Sequence, residues 1–307
     1  MAATESPCYF SRPTIATPLI PKDTPQHNGP KHAPAAKSLK KSNKRLCSVK
    51  LLRISSPKPD SEWFFPAYLH LPANYRLEAA EQRHDKTAVI LMSGASGGVV
   101  GPSSIYVSMA DKIASLRRGI PVMRMDYRYP ARNKYCVADV LAAMDFLQRA
   151  LGIGRFVLVG WSFGGAPVMA VGGQDDRVVG CATVASQTAD TEDIEHVAAK
   201  SLPLLLLHGT GDRTLAANCS EMLLETYQRH AKDDLGFLHV FDGDDHALTK
   251  NSAKAEAMLC AFVMRCAGVE ISESEDSVVL RTTLVAEEER VKLMEEAGDL
   301  GEGESLR

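Results

Sequence analysis

The stretch Arg155–Gly173, RFVLVGWSFGGAPVMAVGG, narrows the fold more than any other part of this 307-residue chain. Phe156–Val159 is an apolar run of strand type, Gly160-Trp161-Ser162-Phe163-Gly164 follows without a spacer, and small residues suited to a helix come next. Glycine two residues either side of Ser162 answers a steric need. A strand turning sharply into a helix forces strained angles on the apical residue and leaves no room for Cβ atoms beside it. Such a turn holds the serine hydroxyl above the end of a sheet, with a helix N-terminus behind it. The competing reading is a plain glycine-rich turn between strand and helix.

The rest of the chain supplies the sheet. Leu46–Ile54 and Trp63–Leu71 alternate as a pair of strands around the hairpin loop 55–60, and residues 72–86 form a polar loop. Strands are expected at Thr87–Met92, Val122–Asp126, Val178–Val184, Pro203–Leu207 and Phe237–Phe241. Helices are expected at Ile105–Arg118, Val137–Leu151, after Ser162, at about Ala216–His230 and at about Thr249–Cys266. Strands alternating with helices from residue 87 onward mean an α/β fold, a mostly parallel sheet covered on both faces with functional groups at the carboxyl ends of its strands. Residues 46–269 are expected to form that domain.

Composition is ordinary for a globular protein, but charge is not evenly spread. Residues 1–45 carry eight Lys/Arg against two acids and seven prolines, and read as a disordered Pro-rich basic tail. Residues 270–307 carry twelve acids against four bases and read as a mobile acidic appendage, with a short strand over Val278–Val285 and a helix over Ala286–Ala297. The body between them is close to neutral, so neither a nucleic-acid nor a membrane surface is expected as a partner. No apolar stretch approaches the length needed to span a bilayer. The seven cysteines are an odd number, widely spread, with no metal-ligand spacing, as in a reducing compartment. No apolar run follows Met1 as in a secretory signal, so a cytoplasmic protein is expected; the basic cluster 37–45 is a solvated linker or else a nuclear or organelle address. Oligomeric state is not encoded in any of these features.

A serine hydroxyl is a weak nucleophile at neutral pH and needs an imidazole base, itself oriented by a carboxylate. His246 alone among nine histidines follows the final strand, in the loop Asp242-Gly-Asp-Asp-His246. His208 reads as a packing or turn-capping residue and His239 as part of the sheet. Asp212, in Gly209-Thr-Gly-Asp212, is the favoured acid, with Asp190 and Asp193 as competitors after the preceding strand. Asp244 and Asp245 read as loop solvation. The order Ser162, Asp212, His246 distinguishes this arrangement from the two other common serine-hydrolase orders. Acyl transfer also needs N–H donors for an oxyanion. Phe163 is one candidate, and Ala95 the other, from the glycine-rich loop Ser93–Gly98, with Ser96 its neighbour. Trp161, Ser96 and Arg128 are candidates for lining the substrate site, Trp161 with packing and Arg128 with a structural ion pair as alternatives.

Together, Gly160-Trp-Ser162-Phe-Gly164, Ser93-Gly-Ala-Ser-Gly-Gly98, His208-Gly-Thr-Gly-Asp212 and Gly243-Asp-Asp-His246 resemble the α/β-hydrolase superfamily, with the closest likeness to its small dienelactone-hydrolase-like and serine-esterase-like branch. The resemblance covers about residues 46–269. It implies a Ser162–Asp212–His246 triad that works without metal or organic cofactor. Ser93-Gly94 stands where many relatives have His-Gly, and position 162 is serine and not the cysteine of dienelactone hydrolases. In this fold lids enter before the acid-bearing strand; here that interval, Ala185–Leu202, leaves no room for a sizeable cap domain. The expected activity is cleavage of a carboxylic ester or related acyl bond in a small-molecule or acyl substrate, through an acyl-enzyme on Ser162. A thioesterase or acyltransferase with the same triad and a non-catalytic hydrolase-fold scaffold are the alternatives.

Overall fold

In the computed structural model, residues 47–55, 64–73, 75 and 86–300 are described. The basic tail 1–45, the loop 56–60 and most of the loop 72–86 lie outside the described residues. Eight strands make one sheet: β1 (Cys47–Ser55), β2 (Phe64–Pro72), β3 (Thr87–Met92), β4 (Val122–Met125), β5 (Arg155–Trp161), β6 (Val178–Val184), β7 (Leu204–Gly209) and β8 (Gly236–Phe241). Their spatial order is β1-β2-β4-β3-β5-β6-β7-β8. β2 runs antiparallel to both its neighbours, and every pairing from β4 to β8 is parallel.

Strand residues alternate between two cores, because successive side chains leave a strand on opposite faces. Val89, Leu91, Val157, Val159, Leu205 and Leu207 point to one face, where α1 (Ile105–Ser115) and α6 (Ser252–Cys266) pack. Ala88, Ile90, Met92, Phe156, Leu158, Leu204 and Leu206 point to the other. That face is covered by α2 (Asn133–Leu151), α3 (Gly165–Gln174), α4 (Ile194–Ala199) and α5 (Asn218–His230). With both faces covered, the central strands can be apolar throughout, which is why β3 and β7 read as unbroken hydrophobic runs. The interval 185–202 holds only the six-residue α4, whose Ile194, Val197 and Ala198 are buried in the second core; no cap domain rises there.

Three elements differ from expectation. α1 ends at Ser115, three residues before the expected Arg118. α2 begins four residues earlier than the apolar periodicity indicates, at Asn133. The Val278–Val285 segment is not a strand: a helical turn at Glu273–Glu275 runs into a wide turn at Asp276–Leu280. The acidic segment continues in α7 (Glu287–Ala297) and lays Leu280, Val285, Leu293, Met294 and Ala297 into the first core. Arg290, buried on α7, reaches Glu256 of α6 at 3.2 Å, and Glu256 in turn pairs with Lys112 of α1 at 2.7 Å. Among the described residues no helix is long and apolar enough to cross a membrane. Burial pushes the Cys136 and Cys181 thiols up to about 12, so they act as small core hydrophobes.

Met294 is fully buried, so Met294→Ala is expected to lower the free energy of unfolding by about 2–5 kcal/mol. Urea unfolding at unchanged m-value reads this directly; a change within about 0.5 kcal/mol would exclude α7 from the cooperative unit.

Candidate active site

The carboxyl ends of β3, β5 and β7 and the loop after β8 bring Ser162, Asp212 and His246 to one edge of the sheet. At the end of β5 the chain turns through Ser162, which adopts φ 54°. The turn closes only because its glycines lack side chains. A Cβ on Gly160 would run into the Gly164 carbonyl, and one on Gly164 would sit 2.7 Å from the Ser93 carbonyl oxygen. Gly94 comes close enough that an added Cβ would stand 3.4 Å from Ser162 Cβ. The half-exposed Ser162 therefore lies directly against the glycine-rich loop.

His246 Nδ1 lies 2.7 Å from Asp212 Oδ2. A carboxylate facing Nδ1 keeps the proton there and leaves Nε2 as the basic lone pair. The Asp212 side chain is fully buried, and its other oxygen accepts the N–H groups of Thr214 at 2.8 Å and Leu215 at 2.9 Å. Burial by itself would raise its pKa; the hydrogen bonds from His208 and His246, the charge on His246 and the Leu215 N–H outweigh it and hold the carboxyl well below the usual carboxylate range. The competing acids lie elsewhere: Asp190 is exposed, and Asp193 bonds His196 and Gln174.

Two residues contribute more than their sequence context suggests. His208 is buried; its Nε2 faces Asp212 Oδ2 at 3.1 Å and the Leu215 carbonyl at 3.0 Å, while Nδ1 meets Ser220 Oγ at 2.7 Å. With two acceptors in front of it, Nε2 carries the proton and donates it, so His208 steers the carboxylate that faces His246. Asp244 is not loop solvation. It is fully buried and accepts the N–H groups of Asp245, Lys250 and Asn251 and the Asn251 side-chain amide, fastening the His246 loop from within. Asp245 Oδ1 adds bonds to the Ala247 and Thr249 N–H groups. Polar neighbours in a Gly–Asp loop were the available signal, but burial was not legible from them.

Other candidates fall differently. Trp161 does not line an open site. It is buried, its Nε1 donates to the His246 carbonyl at 2.9 Å, and its ring lies 5.4 Å from the imidazole. Arg128 turns inward to a buried ion pair with Asp139, whose Oδ2 also accepts the Arg128 N–H at 3.0 Å; this places it in the frame of the fold and not on an open surface. The Phe163 ring packs edge-on to Tyr127 at 6.1 Å, with its N–H at the start of the turn into α3. Ala95 is exposed at the tip of a turn closed by Gly97 N–H to the Gly94 carbonyl, with Ser96 half-buried beside it. The loop continues under the grip of Asp126, whose Oδ1 accepts the Gly98 and Tyr127 N–H groups.

Among the described residues, one cluster has metal-ligand chemistry. Cys47, His70 and Asp111 are buried with ligand atoms within 4.8 Å of one another. However, Arg124 Nε donates to His70 Nε2 at 3.0 Å, so the His70 proton sits on Nδ1 and is donated to Asp111 at 2.7 Å. A protonated nitrogen with a guanidinium behind it is a poor cation ligand.

A family model described as alpha/beta hydrolase fold matches residues 122–238, a span that includes Ser162 and Asp212 and ends before His246. No curated protein matches the chain. Among solved structures, Est1E from Butyrivibrio proteoclasticus is similar with a TM-score of 0.55 at 14% identity, covering 71% of this chain and 99% of that one. An esterase domain from Rhodothermus marinus gives a TM-score of 0.54 at 17% identity, covering 71% and 98%. A cold-adapted esterase from an Arctic intertidal metagenomic library gives 0.54 at 17% identity, covering 72% and 96%. At 14–17% identity, these TM-scores above 0.5 show a shared fold alone.

The depressed pKa of Asp212 makes a pH prediction. A carboxyl whose folded value lies below its unfolded one stabilises the native state at any pH above the unfolded value, and that contribution is lost as pH falls through the folded value. Asp212→Asn should therefore be less stable than wild type at neutral pH, with the gap closing below about pH 4. Urea midpoints from pH 7 to 3 read this, and a pH-independent gap would remove the ionised carboxylate from the explanation.

Proposed function

Starting from a chain with the alpha/beta hydrolase fold, we propose that it is a serine hydrolase cleaving a carboxylic ester or related acyl bond of a small-molecule or acyl substrate. The observation that carries this reading is the buried Asp212 carboxylate 2.7 Å from His246 Nδ1, at the same sheet edge as a serine in the positive-φ elbow. In the proposed cycle Ser162 Oγ attacks the acyl carbon while His246 Nε2 takes its proton. The tetrahedral oxyanion is received by the Phe163 N–H and by the Ala95 N–H, which has no acceptor among the described residues. Collapse expels the alcohol, to which His246 returns the proton, and leaves an acyl ester on Ser162. Water, deprotonated by His246, then releases the acid and restores the hydroxyl. Asp212 stabilises the imidazolium in both halves, and His208 holds Asp212 in place. The cycle as proposed is written with these side chains, the two backbone N–H groups and water.

The short 185–202 interval supports a fairly open site without lipase-type interfacial activation. A fluorophosphonate probe is expected to label the wild type covalently and to leave Ser162→Ala unlabelled; equal labelling of the folded variant would sink the proposal. In ester hydrolysis, Asp212→Asn should lower kcat by about four orders of magnitude while preserving the fold, as expected when the imidazole tautomer is no longer held. Circular dichroism and kinetics on the same preparation check this.

A further inference from the structure

The acidic C-terminal segment carries a buried carboxylate, Asp299, that the proposed reaction does not use. Asp299 is 1% exposed. It accepts Ser93 Oγ at 2.5 Å and the N–H groups of Val99 at 3.2 Å, Val100 at 3.1 Å and Gly101 at 2.8 Å. Successive N–H groups converging on one point form an anion-binding concavity, and here the anion is supplied by the chain itself, 198 residues beyond Gly101. The concavity is shaped for it. Gly98 adopts φ +96°, and a Cβ there would run into the Asp299 carboxylate. Arg124 Nη1 holds the same turn from its carbonyl side, through Val99 O at 2.9 Å.

The delivery of Asp299 is equally specific. α7 ends at Gly298, φ 78°, with Gly298 N–H on the Glu295 carbonyl and Asp299 N–H on the Met294 carbonyl. This left-handed helix cap turns the next side chain back over the helix end. Met294, whose carbonyl takes part, is itself locked in the core.

Both ends of the gripped loop lead to the site. On one side, Ser93 is followed by Gly94, packed against Ser162, and by Ala95. On the other, Ser103 and Ser104 hold positive φ angles of 44° and 54°, a conformation L-residues keep only when their surroundings enforce it. α7 enforces it: Arg290 Nη1 donates to the Ser103 carbonyl at 2.9 Å, and Ser104 Oγ donates to the Arg290 carbonyl at 2.6 Å. Ser103 Oγ then donates at 2.8 Å to the carbonyl of Ala247, next to His246.

We infer that Asp299 is a positioning residue for the acyl-transfer centre: its carboxylate is the resident anion of a site built from Ser93 and the Val99–Gly101 amides, and it holds the oxyanion loop in shape. The inference rests on the serine-hydrolase reading for its catalytic part, and on the anion site alone for its structural part. Without the carboxylate, three buried N–H groups and the Ser93 hydroxyl lose their acceptor, and the 93–101 loop relaxes away from Ser162.

The test uses the full-length chain with p-nitrophenyl acetate. Asp299→Ala should lower kcat by about ten- to hundredfold with KM changed less than about threefold, because a misplaced donor costs transition-state binding more than substrate binding. Formate, small enough to enter the vacated site, should restore a large part of kcat in Asp299→Ala and none in Asp299→Asn, where the amide fills the space without the charge. Glu288→Ala, an exposed acid on α7, serves as the unaffected control. An unchanged kcat in both Asp299 variants, or a loss in folded Asp299→Ala that formate does not recover, overturns the inference. If Asp299→Ala does not fold, Asp299→Asn decides, and a kcat within about twofold of wild type counts against the role. Absence of Ser162-dependent turnover in the wild type would strike the serine-hydrolase reading and the positioning role with it. The anion site is then judged by hydrogen exchange at Val99–Gly101, whose protection must fall in Asp299→Ala and return with formate; unchanged protection overturns it.

Discussion

Three backbones pass at the upper edge of the sheet with no space for a side chain between them, and the candidate site depends on that crossing. Gly160 faces the Gly164 carbonyl, and Gly164 faces the carbonyls of Met92 and Ser93. The end of β5, the start of α3 and the exit from β3 are thereby fixed relative to one another. Ser162 has to take its positive φ because the chain cannot reverse in fewer residues otherwise, and the loop after Met92 has to approach it because nothing separates them.

Around this crossing, four buried carboxylates perform the same physical task on the surrounding loops, Asp126 and Asp299 both on the 93–101 loop. Asp126 takes the Gly98 and Tyr127 N–H groups, Asp212 those of Thr214 and Leu215, Asp244 those of Asp245, Lys250 and Asn251, and Asp299 those of Val99 to Gly101. Loops leave backbone donors without strand or helix partners, and an ionised carboxylate with several lone pairs can satisfy a group of them at once. The result is a set of rigid loops at the end of a rigid sheet. Asp212 differs from the others in facing two imidazoles as well, His208 and His246, and that difference marks it as the candidate acid among loop fasteners.

Much of this was legible in advance. The apolar runs of β3, β5 and β7 announce a sheet buried on both faces, and the glycines around Ser162 announce the turn. Other features were not. Val278–Val285 has the composition of a strand, yet the sheet already ends in β1 and β8 elsewhere, so Leu280 and Val285 pack on the α1–α6 face instead while Val278 stays exposed. Trp161 and Arg128 have residue types suited to a substrate site, but type does not say which way a side chain leaves the backbone; both point inward. Residues 270–307, with twelve acids, read as a mobile appendage because composition averages over a segment, and Arg290 and Asp299 are exceptions that such averaging hides.

What the amino-acid order alone determined is local: strand and helix periods, the elbow at Ser162, and the presence of Asp212 and His246 just beyond successive strands. These follow from backbone sterics and from hydrophobic period, which act over a few residues. Tertiary structure decided what depends on distant partners: that His208 steers Asp212, that Asp244 anchors the His246 loop, and that Asp299 fills a nest of N–H groups in the loop beside Ser162. Burial makes those contacts strong, and burial is a property of the whole fold. The elbow is written in five residues; the frame that holds its neighbours in place extends to position 299.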